Sequence, residues 1–309
     1  MTPSLDSIIS RLHLRQLRLL IALYEHGSLL GAARQVSLTQ PGASRALHEI
    51  ETAFGAPLFT RTNRGLEPNE MGHCVVRYAR LIHTDLTHLR EELVGISRGR
   101  GGRVSVGVIM GAVPLLTGAI TALVAKHGDM SIEIVEDTST TLLGLMDEGR
   151  VDVAICRTTV SQTPHFYDSL VLQEETLAVI ANVDHPLAGA GALTLAALSD
   201  HRWLVYRANM PMRLLLEREF HEAGLRFPQH LLETTSALAT LSLLQKNLSL
   251  VALVSIDVAR FVADHGMACI LPVKLSSRSE PYELVTRKGL PLSPAAQLLV
   301  KQLVESPDT

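Results

Sequence analysis

The residues whose types and spacing could do chemistry form two sets, and neither is catalytic. The first lies between Ser28 and Arg64. Thr39, Gln40, Pro41, Gly42, Ser44, Arg45 and His48 fall on one side of a helical period, whereas Ala43, Leu47 and Ile50 fall on the other. Short polar side chains with one Arg near a helix N-terminus match a helix lying in a major groove and touching base edges with its first turns. An ordinary solvated helix face carries the same pattern. The next segment tips the balance: after Gly55-Ala56-Pro57-Leu58-Phe59 comes a Gly-containing hairpin in which Arg61 and Arg64 flank the tip. It reads as a basic wing, placing cations over adjacent phosphates or the minor groove.

The second set follows from a rule about open α/β sheets, whose ligands sit beyond the carboxyl ends of the strands, where helix N-termini offer unpaired N–H groups. The rule names Met110 and Gly111, Thr138, Ser139 and Thr140, Arg157 and Thr158, Arg207 and Met210, and Thr235 and Ser236. The hydroxyls at Ser139, Thr140, Thr235 and Ser236 are ligand groups or helix caps. Arg157 and Arg207 present planar donor forks suited to a carboxylate, phosphate or polyhydroxylated effector, or else pair with Asp137 or Glu136. No GxSxG elbow, GxxxxGK[ST] loop or HExxH pair occurs, and the 13 histidines do not cluster. An enzyme, a cofactor and a metal are therefore not expected.

The elements that must position the first set are readable from period and punctuation. Leu14, Leu17, Leu20, Ile21 and Tyr24 mark a helix ended by Gly27; Ser28 can cap a second helix, in which Gly31, Ala32 and Ala33 permit close crossing. Thr39 caps a third, from Gln40 to about Phe54, with Pro41 in its first turn. From Met71 the apolar residues Val75, Tyr78, Ile82, Leu86, Leu89, Leu93 and Ile96 form a narrow coiled-coil-like seam, which packs on a second copy or on the chain's own domain. Ser97-Arg98-Gly99-Arg100-Gly101-Gly102 looks like an RNA-binding tail, yet between a helix and a strand it reads as a hinge. Alternating strand and helix units then begin at Val104. They specify a parallel sheet with helices on both faces, a second series starts near Leu170, and a last strand and helix return to the first lobe.

Composition sets the outer bounds. The chain has 309 residues, 47% of them hydrophobic and 19% charged, enough for two or three compact units. Residues 1–100 hold 12 Arg, no Lys and 9 acidic residues, so the front is basic and the remainder acidic. That bias suits phosphate contact but equals ordinary scatter in size. Cys74, Cys156 and Cys269 form no CxxC pair, and neither an export signal nor a spanning segment is read, so a cytoplasmic protein without membrane contact is expected.

The run from Leu38 to Glu51, with Phe54-Gly55-Ala56-Pro57-Leu58-Phe59-Thr60-Arg61-Thr62-Asn63-Arg64-Gly65-Leu66, resembles the helix-turn-helix and wing of LysR-type transcriptional regulators. The Ala-Ala pair, Gln-Pro, Ser-Arg one turn later, the Pro-Leu-Phe hinge and Arg-x-x-Arg-Gly occur in the family's order. Thr39 stands where Ser is usual, Gly42 weakens its helix, and Asn69 replaces a Thr. The resemblance implies an α/β chain whose N-terminal domain is all-α plus a wing: residues 1–69 form a winged helix-turn-helix and 70–102 a linker and dimerisation helix with hinge. Residues 103–309 form a two-lobed periplasmic-binding-protein-like effector domain, with lobe I about 103–165 and 270–309 and lobe II about 166–269. It also implies an antiparallel dimer of linker helices, assembly to a homotetramer on a promoter inverted repeat of double-stranded DNA, a small-molecule effector, and contact with RNA polymerase. A solute-binding protein with a borrowed DNA-like head is the rival reading.

Overall fold

The computed structural model describes residues 3–63, 65–98, 102–208 and 210–305. Its internal contacts divide it into two compact units, Met1–Arg103 with Gly144–Val151, and Val104–Leu143 with Asp152–Thr309.

The first unit opens with helix α1 (Leu5–Arg11), which the sequence reading did not anticipate because it buries no residue. Helices α2 (Leu14–His26), α3 (Leu29–Gln35) and α4 (Gln40–Phe54), strands β1 (Phe59–Thr62) and β2 (Gly65–Pro68), and helix α5 (Glu70–Arg98) follow. The caps are those expected: Gly27 is left-handed at the end of α2, Ser28 accepts from the Gly31 N–H, and Thr39 accepts from the Gly42 N–H at 3.2 Å. Asn69 caps α5, accepting from the Gly72 N–H at 2.9 Å.

The buried stripe of α2 differs from the expected one. Leu14 and Tyr24 are exposed, and the core is built on Leu17, Leu19, Leu20 and Leu23 with Ala32, Ala33, Ala43, Leu47 and Ile50. Each fully buried Leu or Ile contributes roughly 1.5–3 kcal/mol, so α2, α3 and α4 are fixed to one another mainly by this cluster. Gly31 plays a different part from the expected one. A Cβ there would come within 2.9 Å of the His26 Cβ and the Ser28 Oγ, so glycine is needed by its own entry turn, while Ala32 and Ala33 pack in the core.

The second unit holds two five-stranded sheets. The first contains β3 (Arg103–Val108), β4 (Ser131–Glu136), β5 (Val153–Cys156) and β6 (Tyr167–Gln173), with helices α6 (Val113–Lys126) and α7 (Ser139–Asp147) between strands. The second contains β7 (Leu177–Ala181), β8 (Arg202–Val205), β9 (Leu231–Glu233), β10 (Leu250–Ser255) and β11 (Cys269–Leu271), with α8 (Pro211–Glu222), α9 (Ala237–Lys246) and α10 (Ile256–Asp264). The chain then returns to the first sheet with β12 (Tyr282–Arg287) and α11 (Pro294–Glu305), giving the orders β4-β3-β5-β12-β6 and β11-β7-β10-β8-β9.

Two expectations are corrected here. The sheets are mixed: β3 and β5 run parallel, but β12 is antiparallel to both β5 and β6, and β7 is antiparallel to β10 and β11. The lobe boundaries near 166 and 270 also move, because β6 pairs with β12 in the first sheet and β11 pairs with β7 in the second. Crossing therefore occurs at residues 174–176 and 272–281. The antiparallel pairs named here all involve β7 or β12, the strands entered directly from the other lobe, which have no crossover helix to force parallel pairing. Strand β10 is buried along its whole length, with Ala252 and Val254 in one apolar cluster and Val251 and Leu253 in the other.

Candidate nucleic-acid interface and ligand cleft

Helix α4 presents the polar side that its sequence announces. Thr39, Gln40, Pro41, Ser44, Arg45 and His48 are exposed, Gly42 is half-buried, and Ala43, Leu47 and Ile50 are buried on the opposite side. A Cβ at Gly42 would lie 3.1 Å from the Thr39 Oγ1, so glycine leaves room for the cap that starts the helix. Ser28 is half-buried and its hydroxyl is engaged in capping α3, which makes it first a structural group. The turn between α3 and α4 carries Ser37 with φ 58°, a left-handed conformation that few non-glycine residues adopt.

The hairpin is held by the end of α2 and by a side chain of α4. The Leu66 N–H donates to the Gly27 carbonyl at 2.7 Å, and a Cβ at Gly65 would meet that same oxygen at 2.4 Å. From α4, the Glu51 carboxylate accepts from the Leu58 and Phe59 N–H groups, fixing the entry to β1. Arg61 is exposed on β1, as expected of a wing cation. Arg64, its expected companion, lies outside the described residues. Glu51 and Gly65 lie inside the run that resembles the family, but sequence reasoning missed their part in positioning the wing, because the contacts of Glu51 with Leu58 and Phe59 span a turn that no period marks.

Along α5, the expected seam is divided. Met71, Tyr78, Ile82, Leu86, Leu89 and Leu93 are exposed within this chain, Val75 is half-buried, and the side chain of Ile96 lies outside the described residues. Val76 and Ala79 join the core of the first unit, and of the seam Val75 packs against it. A Cβ at Gly72 would approach the Leu58 carbonyl to 2.1 Å, so α5 passes very close to the wing's entry.

Part of the cleft set in the second unit is already engaged by other residues of the fold, and part of it is exposed. Met110 and Gly111 follow β3, and the Tyr206 hydroxyl at the end of β8 reaches the Met110 sulfur at 4.0 Å, so the strand ends of the two lobes meet. Arg157 is buried and does not pair with Asp137 or Glu136. Its guanidinium forms an ion pair with Glu175, donates to the Ser279 hydroxyl at 3.1 Å, and donates through Nε to the Glu280 carbonyl at 3.0 Å. Its own N–H donates to the Ser139 Oγ, which corrects the expectation of a free or simply capping serine. Thr158 gives both its N–H and its hydroxyl to Glu283. Thr138 caps α7 through the Thr141 N–H, and Ser236 caps α9 through the Ala239 N–H. Thr140, Arg207 and Thr235 are exposed, and Met210 is half-buried ahead of α8.

Glu175 and Ser279 escaped sequence reasoning because crossover residues belong to no periodic element, and Tyr206 and Tyr282 because a tyrosine at a strand end reads as core. Burial pushes the Glu175 carboxyl above its ordinary value, and Arg157 and Ser279 pull it part of the way back. Burial likewise raises the Tyr206 and Tyr282 phenols, with Glu175 adding to both. The Cys156 thiol, buried at the end of β5, is pushed up to about 12 by burial and then by Glu283, which makes it a poor nucleophile. Among the described residues no group of three metal-ligating side chains gathers, and no helix is long and apolar enough to cross a membrane.

Comparison with known proteins places both units. Residues 14–73 match the bacterial regulatory helix-turn-helix protein, lysR family, and residues 97–308 match the LysR substrate binding domain. The chain is 33% identical over 302 residues to the HTH-type transcriptional regulator GbpR of Azospirillum brasilense, covering 97% of this chain and 88% of that protein. It is 30% identical over 291 residues to the HTH-type transcriptional regulator GalR of Pseudomonas putida, covering 93% and 72%. Its fold resembles full-length CbnR complexed with its target DNA, with a TM-score of 0.64 at 19% identity over 96% of this chain and 100% of that one. A full-length OxyR variant from Pseudomonas aeruginosa gives 0.61 at 19% identity, covering 94% of each. The chain therefore belongs to the LysR family: it is a DNA-binding transcriptional regulator with a substrate-binding effector domain, and not an enzyme.

Proposed function

We propose that this regulator inserts the exposed side of α4 into the major groove of an inverted repeat in promoter DNA. In this reading Gln40, Ser44, Arg45 and His48 touch base edges, Thr39, Pro41 and Gly42 bring the helix start to the backbone, and Ser28, Arg61 and Arg64 serve adjacent phosphates. The observation that carries it is the exposure of every polar side chain on one side of α4 while the other side is fully packed. Residues 1–69 act as the reader, 70–102 as linker and 103–309 as sensor. The protein works in the cytoplasm, where its promoter is.

The open α5 seam supports a homodimer. Six large apolar residues left exposed along one helix form a surface that a second copy of the same helix covers in antiparallel register, setting two readers about 34 to 36 Å apart. Two such dimers join through their sensors into a homotetramer. An effector bound between the lobes, near Met110, Gly111, Thr138, Thr140, Met210, Arg207, Thr235 and Ser236, changes the angle between dimers, and so DNA bending and contact with RNA polymerase, provided it binds the two states unequally.

The test is a gel shift on the DNA upstream of the protein's own gene, with sedimentation of the same sample. A salt-sensitive complex and a species of at least two chains are expected. A stable monomer at micromolar concentration that leaves the DNA unshifted contradicts the reading and favours a solute-binding protein.

A further inference from the structure

The floor of the cleft carries a charge arrangement that bears on what the sensor binds, and the inference rests on the reading of that cleft as the effector site. The two crossovers are tied together there: the Ser279 N–H donates to the Glu175 carbonyl at 3.1 Å. Arg157 reaches in from the end of β5 and engages both, Glu175 on the first crossover and Ser279 and Glu280 on the second. The residues are closed to solvent, Arg157 being 6% and Glu175 2% exposed. Gly111 leaves the space that Glu175 fills, since a Cβ there would lie 2.0 Å from the Glu175 Oε1. The carboxylate is thus seated where backbone from the β3 end, the guanidinium and the Ser279 hydroxyl converge.

That seat has the shape of an anion site already filled. A guanidinium, a hydroxyl donor and a glycine-lined approach are what a ligand carboxylate needs, and here the chain supplies the carboxylate. The neighbouring donors are committed in the same way, Thr158 to Glu283 and the Thr159 hydroxyl to Glu280. Two phenols in the same electrostatic neighbourhood are not committed. The Tyr206 hydroxyl has only the weakly accepting Met110 sulfur at 4.0 Å, and the buried Tyr282 hydroxyl has no partner among the described residues. Both sense the Glu175 charge.

We propose that Glu175 is a built-in counter-anion that closes Arg157 to carboxylate effectors, so that the cleft takes an uncharged, hydroxyl-bearing molecule for which the Tyr206 hydroxyl is a hydrogen-bonding partner. An entering carboxylate would have to displace Glu175 into a region that already holds Glu136, Glu280 and Glu283. A neutral hydroxyl has no such conflict, and it supplies the oxygen acceptor that Tyr206 lacks.

Acetate is the direct probe. Thermal unfolding of the full chain is followed while acetate replaces chloride at constant ionic strength, for the wild type, Glu175→Ala and Glu175→Ala/Arg157→Met. The wild-type midpoint should not move; that of Glu175→Ala should start lower and rise saturably with acetate; the double variant should lose the rise. Acetate stabilising the wild type as much as Glu175→Ala, or failing to stabilise a folded Glu175→Ala, overturns the proposal. Should Glu175→Ala not fold, the wild-type Arg157 side-chain Nε–H resonance gives the answer: it stays in place through the acetate titration, and a saturable shift overturns the proposal.

Titration of glucose with gluconate, and of benzyl alcohol with benzoate, extends the test to size. A neutral member that binds and weakens about tenfold in Tyr206→Phe supports the assignment, the loss expected of one buried neutral hydrogen bond. An acid member that binds the wild type and weakens in Arg157→Met overturns it. None of these arms uses DNA. A chain that gives the acetate result yet ignores promoter fragments refutes the regulator reading and leaves the occupied anion seat standing, whereas one that shifts promoter DNA and binds gluconate through Arg157 does the reverse.

Discussion

The reader helix and the sensor cleft were both picked out by polar residues at element ends, and they use those residues in opposite ways. On α4 the candidate side chains are exposed, and the residues that hold the helix in place are a separate apolar set. In the cleft the candidates are engaged within the fold: Arg157 by Glu175, Thr158 by Glu283, and Ser139 by the Arg157 N–H. In the proposed reading, DNA contact and stability rest on different residues in the first region, whereas in the second the buried ion pair that ties the crossovers also sets which ligands are admitted. A partner as large and uniformly charged as DNA can be met by side chains kept free, whereas a small ligand must be met by a shaped and prepaid arrangement of charges.

The sharpest way to break this contrast is to remove one charge from each region. Glu175→Ala should cost about 3–5 kcal/mol of stability, because it leaves Arg157 buried without its counter-ion. Arg45→Ala should stay within about 0.5 kcal/mol of the wild type in stability. Urea unfolding of both variants checks it, and equal losses would erase the distinction.

Next in size is Gly65→Ala. Its φ of 130° and the Gly27 carbonyl at 2.4 Å from an added Cβ make the substitution strained and crowded by backbone. About 1–3 kcal/mol of destabilisation is expected, with weaker DNA binding on every sequence as the wing leaves its seat. Thr39→Ala should cost about 1 kcal/mol through the lost cap, with a smaller effect on the second unit than on the first, as hydrogen exchange across α4 would show.

The smallest expected effect is on pH. His185 is buried beside His201, and burial, then that neighbour, hold its imidazole below the ordinary 6.5. A group held low in the folded state contributes stability that is present above its unfolded value and lost as pH falls through the folded one. Stability should therefore decline from about pH 6.5 downward, and His185→Gln should flatten the decline in a thermal scan across pH.

The same contrast explains what the sequence made legible. Helix α4 could be read to its first and last residues because Thr39, Pro41 and Gly55 punctuate it and its apolar residues keep the helical period. The two-lobed architecture was legible from alternating strands and helices. Its strand directions and lobe boundaries were not, since pairing of β6 with β12 joins residues more than a hundred positions apart. Arg157 was found by its place after β5, but its partner Glu175 sits in a short crossover without period or motif, so the pairing needed three dimensions. Helix α1 was missed because an element that buries nothing leaves no hydrophobic pattern.

If α4 reads bases, the loss of Arg45 is felt only on the right sequence. The most direct measurement compares the affinity of wild type and Arg45→Ala for the operator and for a scrambled duplex across a range of salt. Arg45→Ala should lose about 1–3 kcal/mol on the operator alone, with its affinity for the scrambled duplex nearly unchanged. Equal loss on both duplexes, or no loss on either, would contradict it.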